Sequence, residues 1–103
     1  MRVEHWSEQA DGPLSETAMR EKLTAEGYAV YCHTYSPGTY FEPHTHGMDK
    51  VTGILSGRFR MCMCGREVIL GPGDMLFVPA DEVHEAEVVG DDPVVSLDAV
   101  RYV

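Results

Sequence analysis

From Tyr28 onward the chain is cut into short runs of β-branched, aromatic and other apolar residues, none longer than eight, separated by glycine and proline. The runs cover residues 28–35, 39–46, 50–55, 58–64, 67–70, 75–78, 84–89 and 94–101. Between them stand turn signals: Ser36-Pro37-Gly38, Ser56-Gly57, Gly71-Pro72-Gly73-Asp74 and Gly90-Asp91-Asp92-Pro93. Strands this short cannot bury themselves singly, and punctuation at such even spacing predicts an all-β sandwich or barrel. Arg58–Cys64 and Glu67–Leu70 read as a hairpin around Cys64-Gly65-Arg66.

The segment before Tyr28 reads differently. Residues 1–13 have no clean period, and Trp6, the only tryptophan, is the natural anchor of an extended arm. Asp11-Gly12-Pro13 is a turn signal. Ser15 then suits an N-cap and Glu16 the first helical turn, where a carboxylate meets the positive end of the helix dipole. Leu14 and Met19 have the spacing of a hydrophobic staple, Met19 and Leu23 form an i, i+4 apolar pair, and Gly27 suits the position just past a helix end. These signals predict one short helix over 16–26, packed outside the barrel. The division is an arm and helix over 1–27 and a barrel over 28–103, a single domain overall, since 103 residues are too few for two cores.

The net charge of −9 repels phosphate backbones, and no cluster of four basic residues offsets it, so nucleic acid is excluded as an expected partner. Anionic membrane surfaces are disfavoured for the same reason. No apolar run has the length of a membrane span and no secretory leader opens the sequence, which reads as a cytoplasmic protein. The three cysteines, Cys32, Cys62 and Cys64, are an odd set for a disulfide framework. Cys62 and Cys64 have no further ligands nearby in sequence to make a soft-metal site. Their parity is shared by Arg58 and Arg60, whereas Phe59, Met61 and Met63 form the core-facing set.

The chemistry lies in two stretches. One is Gly38-x5-His44-x-His46-x3-Lys50-x6-Gly57; the other is Gly73-x5-Pro79-x4-His84. On an extended strand residues i and i+2 share a face, so His44 and His46 are placed to share one ion. The two stretches together resemble the paired motifs of the cupin family, small jelly-roll β-barrels. The resemblance covers Gly38 to Val88, about half the chain. Three positions depart from the family pattern. Lys50 stands where the family has its metal-ligating Glu, Asp81 replaces the second glycine of the second motif, and Val88 replaces its closing Asn.

The resemblance implies that His44, His46 and His84 converge inside the barrel and hold a divalent transition metal: Zn, Fe, Mn, Ni or Cu. Three imidazoles leave open positions for water or substrate. Lys50 is the difficulty, because an ammonium about 4 Å from a divalent ion is repelled by roughly several kcal/mol even at an effective dielectric near 20. Three arrangements follow. Lys50 bends away to a carboxylate, with Glu42 the candidate; it is deprotonated by burial beside a cation; or no metal binds and the pocket takes an anion. Lys50 is also a candidate base or Schiff-base lysine. Tyr40 and Glu42 share the parity of His44 and His46 and are candidate pocket residues, with Pro43 interrupting that parity. Thr52 and Phe77 are candidate wall residues, His5 and His33 are assigned no role, and Glu85 and Glu87 are expected on a solvated face turned away from His84.

The reading is a metal-binding cupin with a three-histidine site acting on or binding a small, possibly anionic, molecule. As an enzyme it would be of dioxygenase or isomerase type. The alternative is a metal-free or non-catalytic module that binds or senses a sugar or anion. The resemblance also implies a homodimer, with the Trp6 arm and the Tyr28–Tyr35 strand as the candidate contact.

Overall fold

The structure is a computed structural model and describes residues 1–102. Its elements, in chain order, are β1 (Arg2–His5), α1 (Glu8–Asp11), α2 (Glu16–Ala25), β2 (Ala29–Tyr35), β3 (Tyr40–His44), β4 (Asp49–Ser56), β5 (Arg58–Met63), β6 (Arg66–Leu70), β7 (Asp74–Val78), β8 (His84–Val89) and β9 (Val94–Arg101). Every strand pairing is antiparallel. Five strands form one sheet in the order β1-β7-β4-β9-β2, and four form a second in the order β3-β8-β5-β6. The two sheets face each other as a jelly roll.

Alternation along the strands makes two cores. Ile54 on β4, Leu76 and Val78 on β7, Val94 on β9, Phe59, Met61 and Met63 on β5, and Ala86 and Val88 on β8 point between the sheets. The opposite parity of the five-stranded sheet, Val51, Met75, Leu97 and Ala99, points outward and is covered by Met19 and Leu23 of α2. A strand covered on both faces loses its alternation, which is why the middles of β4 and β9 are continuously buried.

The expected helix forms over Glu16–Ala25, with the Ser15 hydroxyl accepting from the Ala18 amide at 3.0 Å. It lies close to β4 because Gly53 has no side chain. A Cβ there would stand 2.7 Å from the Met19 sulfur. The N-terminal arm is more ordered than its sequence predicts. β1 extends the five-stranded sheet by pairing with β7, and α1, a single turn, is capped by Ser7. Trp6 is half-buried and donates its indole N–H to the Gly12 carbonyl at 2.8 Å. A four-residue edge strand and a one-turn helix are too short to impose a period, so both were invisible in the sequence.

Candidate metal centre

The three histidines meet at one end of the space between the sheets. His44 is on β3, directly opposite His84 on β8, and their ring centroids are 4.2 Å apart. His46 follows β3 in a loop pinned by its own carbonyl, which accepts from the Asp81 amide at 2.7 Å. One nitrogen from each ring lies within 4.8 Å of the others, and His44 Nε2 is 3.1 Å from His46 Nε2.

The second ring nitrogens show what this cluster suits. His44 Nδ1 donates to the Glu42 carbonyl at 2.6 Å and His84 Nδ1 to the Glu82 carbonyl at 2.9 Å. These bonds fix the tautomer, so each Nε2 carries a lone pair toward the cavity. Burial, then the charge of Lys50 and the neighbouring imidazoles, lowers the pKa of His46 to about 4. Burial likewise lowers that of His84, against the opposing pull of the Glu82 carbonyl. At this distance the His44 and His46 nitrogens either share a proton as a hydrogen bond or share a cation. Two nitrogens held about 2.0–2.1 Å from one ion are themselves about 3 Å apart. The donor set fits a divalent transition metal.

Asp81 closes the loop beside this cluster with a φ of +65°. The left-handed conformation explains why glycine suits this position, and Asp is among the few side chains that tolerate it.

A cavity of about 230 Å³ opens in front of the imidazoles. Its wall on the four-stranded sheet is His44, His84, Phe41, Phe59, Met61 and Ala86; its wall on the five-stranded sheet is Tyr35, Lys50, Thr52 and Asp98. Lys50 does face inward. It pairs not with Glu42 but with Asp98, Nζ to Oδ1 at 3.6 Å. Asp98 is 5% exposed and gathers four donors. Besides Lys50 these are the Tyr35 hydroxyl (2.8 Å), His33 Nδ1 (2.6 Å) and the Ser96 hydroxyl (3.2 Å). Burial pushes the Asp98 carboxyl up, but the Lys50 charge and the hydrogen bonds from Tyr35 and His33 outweigh it and hold the carboxyl below its ordinary range. Burial, then the Asp98 charge, raises the pKa of the Tyr35 hydroxyl far above its ordinary value, so it stays protonated.

Several sequence expectations need correction here. Tyr40 and Glu42 are exposed and lie outside the cavity; the Tyr40 hydroxyl donates to Glu85 on the outer face. The reason is a β-bulge. Phe41 pairs with Ala86 and His44 with His84, so β3 spends one residue more than β8 between these pairs. The extra residue falls at Glu42–Pro43, where proline has no amide to contribute to a ladder, and it inverts the parity. Phe41 rather than Tyr40 therefore lines the cavity beside His44. Phe77 is on the outer face of β7, under the Arg2 guanidinium, while Thr52 is a wall residue as expected. Glu85 and Glu87 do turn away from His84, where they pair with Arg60. Cys62 lies on that same outer face, 2.9 Å from an Arg60 nitrogen.

The signal missed in the sequence was Asp98. The run Val94-Val95-Ser96-Leu97-Asp98-Ala99-Val100 contains a single acid at an inward parity. A buried carboxylate in an apolar strand requires partners, and those partners lie 48, 63 and 65 residues away at Lys50, Tyr35 and His33.

The chain belongs to the cupin family: a family model described as a cupin domain matches residues 31–100. No curated protein sequence matches the chain. Among solved structures it is similar to a Thermotoga maritima protein described as a predicted oxalate decarboxylase. That match has a TM-score of 0.68 at 20% identity and covers 98% of this chain and 79% of the other. KdgF from Halomonas sp. is similar at TM-score 0.63 and 24% identity, over 71% and 67% of the two chains. The DMSP lyase DddQ of Ruegeria pomeroyi is 32% identical at TM-score 0.64, over 72% of this chain but only 38% of the lyase. This chain thus spans about two thirds of the length of KdgF and well under half of the lyase.

Proposed function

We propose that this chain is a metal-dependent small-molecule cupin in which His44, His46 and His84 hold one divalent transition ion. The observation that carries the reading is the orientation of the rings: two Nδ1–H groups are tied to backbone carbonyls, and the nitrogens opposite them converge. A three-imidazole ion supplies a Lewis acid with positions open to water or ligand. The chain's own residues shape what enters. Phe41, Phe59, Met61 and Ala86 give an apolar wall, and Lys50 gives an ammonium donor facing it. That combination suits a small molecule with an apolar part and a carboxylate or oxyanion. Two of the similar proteins are described as acting on small molecules, DMSP in one and oxalate in the other. An activity of oxygenase, isomerase or lyase type is the reaction class this cavity serves, with Lys50 reading the anionic end of the substrate.

The test is elemental analysis of tag-free protein, wild type against His84→Ala and His46→Ala. Near-stoichiometric metal in wild type that is lost in both variants supports the reading. Wild type that stays metal-free after incubation with Zn, Fe, Mn, Ni and Cu sinks it. The cavity would then be a metal-free anion site built on Lys50. We also infer a homodimer, supported by β2 being an outer strand of its sheet with Tyr31 56% exposed. A monomer by sedimentation at micromolar concentration removes that part.

A further inference from the structure

We propose that Asp98 is a positioning residue that makes Lys50 compatible with the metal centre, by holding its ammonium on the five-stranded sheet, across the cavity from the three imidazoles.

The placement follows from register. Asp98 on β9 is opposite Thr52 on β4, and Lys50 is opposite Val100, so Lys50 and Asp98 are diagonal neighbours on the inner face. Diagonal neighbours are within reach of a long side chain. His33 on β2 is opposite Ser96, which sets it diagonal to Asp98 from the other side. The imidazoles belong to β3, β8 and the loop after β3, whereas every partner of Asp98 belongs to β2, β4 or β9. The site is built as two halves on two sheets: a ligand half of imidazoles and a charged half in which a lysine and an aspartate pair.

The pairing matters because Lys50 is only 20% exposed at its side chain and has little water to screen it. An unpaired ammonium there would oppose any cation among the imidazoles. Asp98 offsets this in two ways. It brings a negative charge into the cavity wall, and its geometry draws Nζ toward β9. The carboxylate is itself fixed on both oxygens, by Tyr35 and His33 on Oδ2 and by Ser96 on Oδ1. It cannot turn to become a metal ligand without giving up these bonds. Asp98 thus contributes charge without coordinating.

This inference rests on the three-histidine metal reading, and the experiment separates the two. Chelator-stripped wild type, Asp98→Asn, Lys50→Met and the double variant are titrated with zinc chloride, by calorimetry and by competition with a chromophoric zinc indicator. Circular dichroism and melting curves accompany each. Asp98→Asn is expected to bind zinc about 10- to 100-fold more weakly, the range over which residues supporting metal ligands act. Lys50→Met is expected to bind at least as tightly as wild type, and the double variant to match Lys50→Met. That rescue is specific to charge, since a carboxylate needed only to hold the barrel together would stay needed after the lysine is gone. Asp98→Asn binding as wild type does, or a double variant as weak as Asp98→Asn, overturns the role of Asp98 and leaves the metal site standing. Wild type without zinc overturns both. Should Asp98→Asn not fold, Lys50→Met decides alone: weaker zinc binding than wild type overturns the proposal.

Discussion

His44 and His84 stand directly opposite each other across the β3–β8 ladder, with ring centroids 4.2 Å apart, because β3 carries one more residue than β8 just before this pair. Paired without a bulge, the same residues would put Pro43 opposite His84 and turn His44 outward. The bulge builds the ligand pair as much as the histidines do, and bulges are known to re-aim side chains in this way. Deleting Pro43 alone should therefore straighten β3 with His44 still opposite His84 and metal still bound, whereas deleting Glu42 and Pro43 together should turn His44 outward and abolish binding, checked by metal content and circular dichroism on one sample.

The same bulge moves Tyr40 and Glu42 out of the site. Tyr40→Phe and Glu42→Gln should leave metal stoichiometry and zinc affinity unchanged. Only the carbonyl of Glu42, and not its side chain, touches His44. A loss of affinity in Glu42→Gln would mean that the carboxylate reaches the cavity after all.

Gly53 governs how closely α2 approaches the sheet. Gly53→Ala places a methyl group 2.7 Å from the Met19 sulfur, in a core where Met19 is fully buried. Overpacking of this kind costs about 1–3 kcal/mol, and the urea midpoint should fall accordingly with little change in slope. In a Met19→Ala background the same substitution should cost less, because the group that the methyl meets is gone.

Asp81 sits in the left-handed region at φ +65°. Non-glycine residues are penalised there by about 1–2 kcal/mol, offset by the greater freedom glycine has in the unfolded chain. Asp81→Gly should stabilise the protein by up to about 1 kcal/mol in urea titration. Asp81→Val should destabilise it, since a β-branched residue has no short polar group to settle that conformation.

The Asp98 carboxyl gives stability a pH dependence whose sign is fixed. Its pKa is lower in the folded chain than in the unfolded one. Its contribution is therefore fully present above the unfolded value near 3.9 and is lost as pH falls through the lower folded value. The groups that face it are Lys50, Tyr35, His33 and Ser96. Metal-stripped wild type should lose stability below about pH 4 more steeply than Asp98→Asn. Equal slopes in chemical denaturation would show that the carboxyl is not held ionised by these partners.

Much of this protein was written in its sequence. Short strands set off by Gly and Pro required a β-barrel or sandwich, because no single strand can satisfy its backbone or bury its face alone. The cap at Ser15 with the Met19–Leu23 pair required one outer helix. The spacing of His44, His46 and His84, through its resemblance to the cupin motifs, marked these three as a cluster, and the structure brings them together. The tertiary structure decided the rest. A single extra residue at Glu42–Pro43, which no alternation reveals, exchanged Tyr40 for Phe41 at the cavity wall. The partner of Lys50 was decided by strand order: β9 lies between β4 and β2, so Asp98 meets a lysine 48 residues before it and not the glutamate eight residues before that lysine. Local pattern specifies elements and faces; the pairing of distant strands, set by burial of the whole core, specifies which charges meet.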